Sequence, residues 1–196
     1  MTKPTLQIII GSTRPGRVGG RVAEWFRDRA VAHGDFAVEV LDLAEFGLPL
    51  FDEPHHPRLG HYVNQHTKDW SAAVSRGDAY VFVIPEYNHA INAATKNALD
   101  YLHSEWAHKP AGIVSYGGVS AGTRAAQMLK QVLAALQMVP LAEAVNIPFV
   151  QRLLDGDGNL VPSEVMEAGA ITLLDGLAKW TEATTPLRDG RADKAA

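Results

Sequence analysis

Three apolar runs in this chain each give way to a polar or glycine-rich turn. Residues 6–10 lead into Gly11-Ser12-Thr13-Arg14, residues 79–84 into Pro85-Glu86-Tyr87-Asn88, and residues 111–114 into Ser115-Tyr116-Gly117-Gly118. The runs are short, rich in β-branched residues and nearly continuous in apolar character, which is the pattern of strands buried on both faces. Such strands belong to a parallel sheet, and in an open parallel sheet a ligand binds in the crevice outside the carboxyl ends of the strands. Polar turns placed after three of these strands can therefore converge on one small molecule.

The segments between them complete an alternation of strand and helix. Val18, Val22, Phe26 and Ala30 recur at helical spacing within residues 16–33, and further helices are expected over 63–76, 93–103 and 120–137. The last of these carries Met128, Leu129, Val132, Leu133 and Leu136 as its apolar stripe. Residues 37–43 and 141–147 supply two more strands, with Pro85 expected to stop the third. A final helix starts at Ser163, a good N-cap, and runs to about Glu182. Residues 46–61, with Pro49, Pro54 and Pro57, form a long loop of the kind that is often functional. The expectation is one α/β domain over residues 1–185, a five-stranded parallel sheet of order 2-1-3-4-5 with helices on both faces, and a polar, frayed tail over 186–196.

Composition narrows the function. The net charge of -4 offers no broad positive field for nucleic acid or anionic lipid. With no cysteine there is neither a disulfide nor a thiol nucleophile, so redox chemistry would need a bound cofactor. The apolar run at 6–10 is far too short for a signal peptide or a membrane span, which makes the cytoplasm the expected location.

The first turn joins a buried strand to a helix N-terminus, where free N–H groups and the helix dipole favour an anion. Ser12 and Thr13 can donate to phosphate oxygens, and Arg14 or Arg17 can supply charge before Val18 opens the helix. It is not a P-loop, because Gly16 is followed by Arg17 and Val18, and it is not the G-x-G-x-x-G fingerprint, because position 13 is Thr. A monophosphate cradle fits better. At the second turn, the backbone of Pro85, Glu86, Tyr87 and Asn88 offers the pairing that a flavin ring edge needs, with Tyr87 as a wall. At the third, Ser115, Tyr116, Gly117 and Gly118 let a ring approach the backbone closely.

In family order, these turns together with Lys96-Asn97-Ala98-Leu99-Asp100 resemble the NADPH-dependent FMN reductases of the flavodoxin-like superfamily, which include quinone, azo and chromate reductases. The likeness runs from Leu6 to about Val150. It implies FMN as cofactor and NADPH, or NADH, as hydride donor, with electrons passed on to a quinone, another flavin or a similar small acceptor. It also implies that Ser12, Arg14 and the loop to Val18 hold the phosphate, that residues 85–88 hold the ring, and that residues 116–118 contact its other side. No catalytic acid or base is needed and none is assigned; Tyr87 and His89 are candidates for shaping the nicotinamide site. A homodimer or homotetramer is expected, with α-helical residues 93–103 at the interface and Leu99, Tyr101, Leu102 and Trp106 as apolar contacts. The alternative is a flavodoxin-like electron carrier that binds FMN without its own NADPH turnover.

Two other signals are set aside. The histidines at 55, 56, 61 and 66 lack the spacing of a metal motif, so no metal is expected. Asp155-Gly156-Asp157-Gly158-Asn159 resembles the start of a calcium loop, but Leu160 replaces the required glycine and Met166 the bidentate glutamate.

Overall fold

A computed structural model of the chain describes residues 2–192. Strand β1 (Thr5–Ile10) is followed by α1 (Gly19–His33), β2 (Ala37–Asp42), the short α2 (Leu43–Phe46) and α3 (Gln65–Ser75). Then come β3 (Ala79–Tyr87), β4 (Ala90–Ile91), α4 (Ala93–Asp100), β5 (Pro110–Tyr116), α5 (Thr123–Ala135), β6 (Val139–Ile147) and α6 (Glu164–Ala192). The parallel strands lie in the order β2-β1-β3-β5-β6, and β4 folds back antiparallel on the end of β3. The expected flavodoxin-like sheet is therefore present, with one small hairpin added.

Strand alternation explains why the apolar runs are continuous. Ile8, Ile10, Val81 and Val83 pack toward α1 and α6 with Val22, Phe26, Leu173 and Leu177. Their neighbours Ile9, Tyr80, Phe82 and Ile84 face the other side, against Trp70, Leu99, Trp106, Leu129 and Leu133. Each fully buried side chain of this size contributes about 1.5–3 kcal/mol relative to exposure, so neither face can be made polar without loss of the sheet. The same packing corrects one expectation. Leu99, Tyr101, Leu102 and Trp106 are all at most 1% exposed and belong to this core, not to an intersubunit surface.

Pro85 does not end its strand. Val83 O accepts Gly11 N–H at 3.0 Å, so the backbone groups of Pro85, two residues on, face the same side, where β1 has already stopped. No ladder donor is lost there, and Pro85 pairs in register with Tyr116 on the other side. Nor does Pro186 end the last helix, which continues to Ala192. Arg188 ties that stretch down, donating to Thr184 Oγ1 and Thr185 Oγ1 at 3.0 Å each and pairing with Asp78. Residues 193–196 of the expected tail lie outside the described residues. The long loop after β2 is likewise tethered: Asn97 bridges Phe51 N and Pro49 O at 2.9 and 2.7 Å, and Tyr101 Oη reaches Asp52 at 3.0 Å.

Candidate active site

The carboxyl edge of the sheet carries a cavity of about 310 Å³. Its first wall begins at Gly11, where a Cβ would stand 2.2 Å from Thr95 Oγ1. Only glycine lets the chain leave β1 this close to α4, and Asn92 Nδ2 then fixes Gly11 O at 2.6 Å. Arg17 folds back over the turn, donating to Ser12 O at 2.9 Å and pairing with Asp42 at the end of β2. It braces the loop. Arg14 is exposed and forms no ion pair among the described residues, so of the two arginines on this turn it is the one with its charge uncommitted. Behind both, α1 starts without a side-chain cap and with no acid in its first turn. Its first N–H groups are thus left open, among the described residues, in the way that suits an anion.

Tyr116 forms the floor. Its hydroxyl is buried beside Ser12 and makes no hydrogen bond of normal geometry among the described residues, and a Cβ on Gly19 would lie 2.6 Å from it, so the absence of a side chain at Gly19 lets the phenol sit beneath the first turn of α1. Burial raises its pKa to about 12, which keeps the phenol a neutral donor. A buried donor left unpaired costs about 1–3 kcal/mol, and its position beside Ser12 and Val18 shows where an acceptor belongs.

The opposite wall comes from β3. Pro85, Glu86 and Tyr87 line the cavity, and Tyr87 Oη meets Ser12 Oγ at 3.0 Å across it. The Glu86 carboxylate turns toward α5, accepting from Ser120 Oγ at 2.9 Å, Arg124 N at 3.0 Å and Arg124 Nη1 at 2.6 Å. Burial pushes this carboxyl up, but the bonds from Arg124 and Ser120 outweigh it and hold its pKa below the ordinary glutamate value. The chain then reverses through Asn88 and His89, both at positive φ (50° and 68°), as a two-residue hairpin requires. Of six non-glycine residues at positive φ among the described residues, four (Asn88, His89, Ala121 and Phe149) sit around this edge, where strained backbone commonly serves a site.

Ten of the thirteen expected site residues line the cavity: Ser12, Arg14, Arg17, Val18, Pro85, Glu86, Tyr87, Tyr116, Gly117 and Gly118. Three do not. Thr13 turns to a separate hollow beside Leu43 and Ala94. Asn88 stands exposed on the hairpin tip. Ser115 is fully buried beneath the loop, bonded to Ala121 O and Asn146 Oδ1 at 2.8 Å each. The sequence reading also missed a fourth segment, residues 149–152 after β6. Phe149 N–H donates to Gly118 O at 3.1 Å and Val150 N–H to Gly117 O at 3.2 Å, and the Arg152 guanidinium lies 4.6 Å over the Phe149 ring. The signal was available, since a fifth parallel strand ends at the same edge as the others.

Elsewhere the set-aside motifs have local work. Asp155 accepts N–H groups from Asp157 and Asn159 at 2.9 and 2.8 Å and so closes its own turn. His56 Nδ1 accepts Arg58 N–H, and His66 contacts Asp52 at 2.9 Å.

The donor set fits FMN: an uncapped helix end, an uncommitted arginine and a partnerless phenol suit a phosphate, and glycine and apolar walls suit a flat ring. Comparison with known proteins agrees. The model of the NADPH-dependent FMN reductase family matches residues 4–152. The chain is 38% identical over 150 residues to an NAD(P)H-dependent FMN reductase from a Nectria species, covering 74% of this chain and 75% of that one. It is 26% identical over 198 residues to a quinone reductase of Pseudomonas putida, covering 98% and 92%. Among solved structures, the flavoenzyme NAD(P)H:(acceptor) oxidoreductase FerB of Paracoccus denitrificans superposes with a TM-score of 0.72 at 20% identity, over 92% of this chain and 98% of that one, and shares the fold. An uncapped helix end at the strand–helix junction and a family match spanning that junction agree, and on the match the chain belongs to the NADPH-dependent FMN reductase family.

Proposed function

We propose that this chain is an NAD(P)H-dependent oxidoreductase that seats FMN in the carboxyl-edge cavity and delivers electrons to a quinone or a similar small acceptor. The observation that carries the reading is the N-terminus of α1, a fifteen-residue helix with no cap of its own beside Ser12, Arg14 and the unpartnered Tyr116 hydroxyl. FMN, when bound, supplies the hydride acceptance and electron transfer that no side chain here can perform. The residues of the chain bind, orient and exclude water. Ser12, Arg14, Tyr116 and the first N–H groups of α1 would take the phosphate. The backbone of Pro85 to Tyr87 and of Gly117 and Gly118 would hold the ring, with Val18, Phe149 and Val150 as its apolar surround. Glu86, held by Ser120 and Arg124, fixes the end of β3 and needs no role in proton transfer.

Names carried by relatives, among them a 2-hydroxy-1,4-benzoquinone reductase of a Burkholderia species, support a quinone as acceptor. We place the enzyme in the cytoplasm and read it as a homodimer or homotetramer. Exposed Leu50, Phe51, Leu59 and Val63, on the loop packed over α4 and just beyond it, are the apolar surface that supports self-association. The test is spectroscopic. Protein incubated with FMN and desalted should stay yellow and bleach on anaerobic addition of NADPH; retained flavin that stays oxidised would instead indicate an electron carrier.

A further inference from the structure

At the amino edge of the sheet, remote from the flavin cavity along the strands, lies a second cavity of about 330 Å³ bordered by Ser75, Ser104, Glu105, Ala107, Lys109 and Arg188. Lys109 is only 8% exposed, yet it forms no salt bridge among the described residues. Its Nζ donates to Tyr80 Oη at 3.0 Å and to Ser75 O at 3.4 Å. Tyr80 gives its own proton to Val74 O at 2.8 Å, so its oxygen can only accept from Lys109. Both partners are neutral acceptors, and they serve an uncharged amine as well as an ammonium. A buried lysine is ordinarily paired with a carboxylate; this one is not.

We propose that Lys109 is a modification site, acylated at Nζ by small acyl phosphates. An amide carries no charge to bury, keeps an N–H for Tyr80 Oη, and sets a small acyl group beside Ala107. Arg188 on the same wall, 3.5 Å from Asp78 and bonded to Thr184 and Thr185, would share its charge between that carboxylate and the phosphoryl end of the donor. In the reaction the Nζ lone pair attacks the acyl carbonyl carbon and an N–C bond forms. The C–O bond to the phosphoryl group breaks, phosphate leaves with that electron pair, and the amine proton passes to solvent. The electrostatics agree with the geometry: burial lowers the Lys109 amine to about 8, with Asp78 and Glu105 opposing that fall and Arg188 adding to it. Near pH 8 roughly half of such amines are neutral, against less than about 1% for an ordinary lysine.

The experiment uses FMN-loaded protein and acetyl phosphate, with acetylation at each lysine followed over time by peptide mass spectrometry. Lys109 should react on the order of fivefold faster at pH 8 than exposed Lys68 and Lys179, with a rate that levels off above pH 8 while theirs still climbs. A rate at Lys109 no greater than theirs would overturn the proposal, whether or not the flavin binds. Arg188→Gln should slow acetylation of Lys109 by acetyl phosphate and leave its acetylation by uncharged acetic anhydride unchanged. Equal slowing with both reagents would contradict the part given to Arg188.

Discussion

Two helices, α1 and α5, begin at the carboxyl edge of the same sheet, and they treat their N-termini in opposite ways. The first turn of α5 meets a protein carboxylate: Glu86 accepts from Arg124 N and Nη1 and from Ser120 Oγ beside them. Helix α1 has neither a side-chain cap nor an acid in its first turn, and among the described residues its neighbour Arg14 forms no ion pair and the Tyr116 hydroxyl makes no hydrogen bond of normal geometry. A helix end left without a cap forgoes about 1 kcal/mol of local stability. One end is thus neutralised by the chain and the other is kept for an anion from outside. This difference, more than the size of the cavity, is what supports placing the phosphate of FMN at α1, as we propose.

The comparison is broken most severely by making α1 resemble α5. Gly20, in the first turn of α1, has open space where a Cβ would stand. Gly20→Asp should therefore fold, gain slightly in melting temperature from the helix dipole, and lose on the order of a hundredfold in FMN affinity by like-charge repulsion, as read by flavin fluorescence titration. Arg14→Ala should weaken FMN binding by roughly tenfold and leave riboflavin binding unchanged, since only the phosphate meets the guanidinium. Tyr116→Phe removes a buried donor without a partner, so the apoprotein should be as stable as the wild type or more so by differential scanning calorimetry, while FMN affinity falls about threefold to tenfold.

The smallest effect should come from the capped helix. The pKa of Glu86 in the folded protein lies below its ordinary value, so its contribution to stability is complete above about pH 4.5 and is lost as pH falls through the lowered pKa. Glu86→Gln should lower the melting temperature at pH 7 by about 2–4 °C and flatten the acid limb of the stability profile below pH 5. FMN affinity should change little.

Much of this contrast was legible in the sequence. The cradle could be read because a buried strand, a glycine turn and a helix are three local signals that agree, and Ser12, Arg14, Arg17 and Val18 all reach the cavity. The errors have a common origin in direction, which spacing alone does not supply. Ser115 falls within β5, so its side chain points away from the faces of Val114 and Tyr116 and bonds beneath the loop. Thr13 and Asn88 likewise sit in the right turns with their side chains outside the cavity. The turn offers Arg14 or Arg17 as the source of charge for a ligand, and spacing alone does not show that Asp42, distant in sequence, pairs with Arg17 and leaves Arg14. Pro85 was read as a stop by a rule that holds where the strand needs its N–H, and here no neighbour was left to receive it. Residues 149–152 carry no glycine or hydroxyl signature, and only the topology brings them to the site.

The most direct test of the account is the affinity of the wild-type apoprotein for FMN measured beside that for riboflavin, two ligands with the same ring that differ in the phosphate. If the uncapped N-terminus of α1 with Arg14 and Tyr116 is the phosphate site, FMN should bind at least about a hundredfold more tightly, and the difference should shrink in Arg14→Ala. Equal affinities would contradict it, and would leave the open end of α1 without the ligand that its geometry calls for.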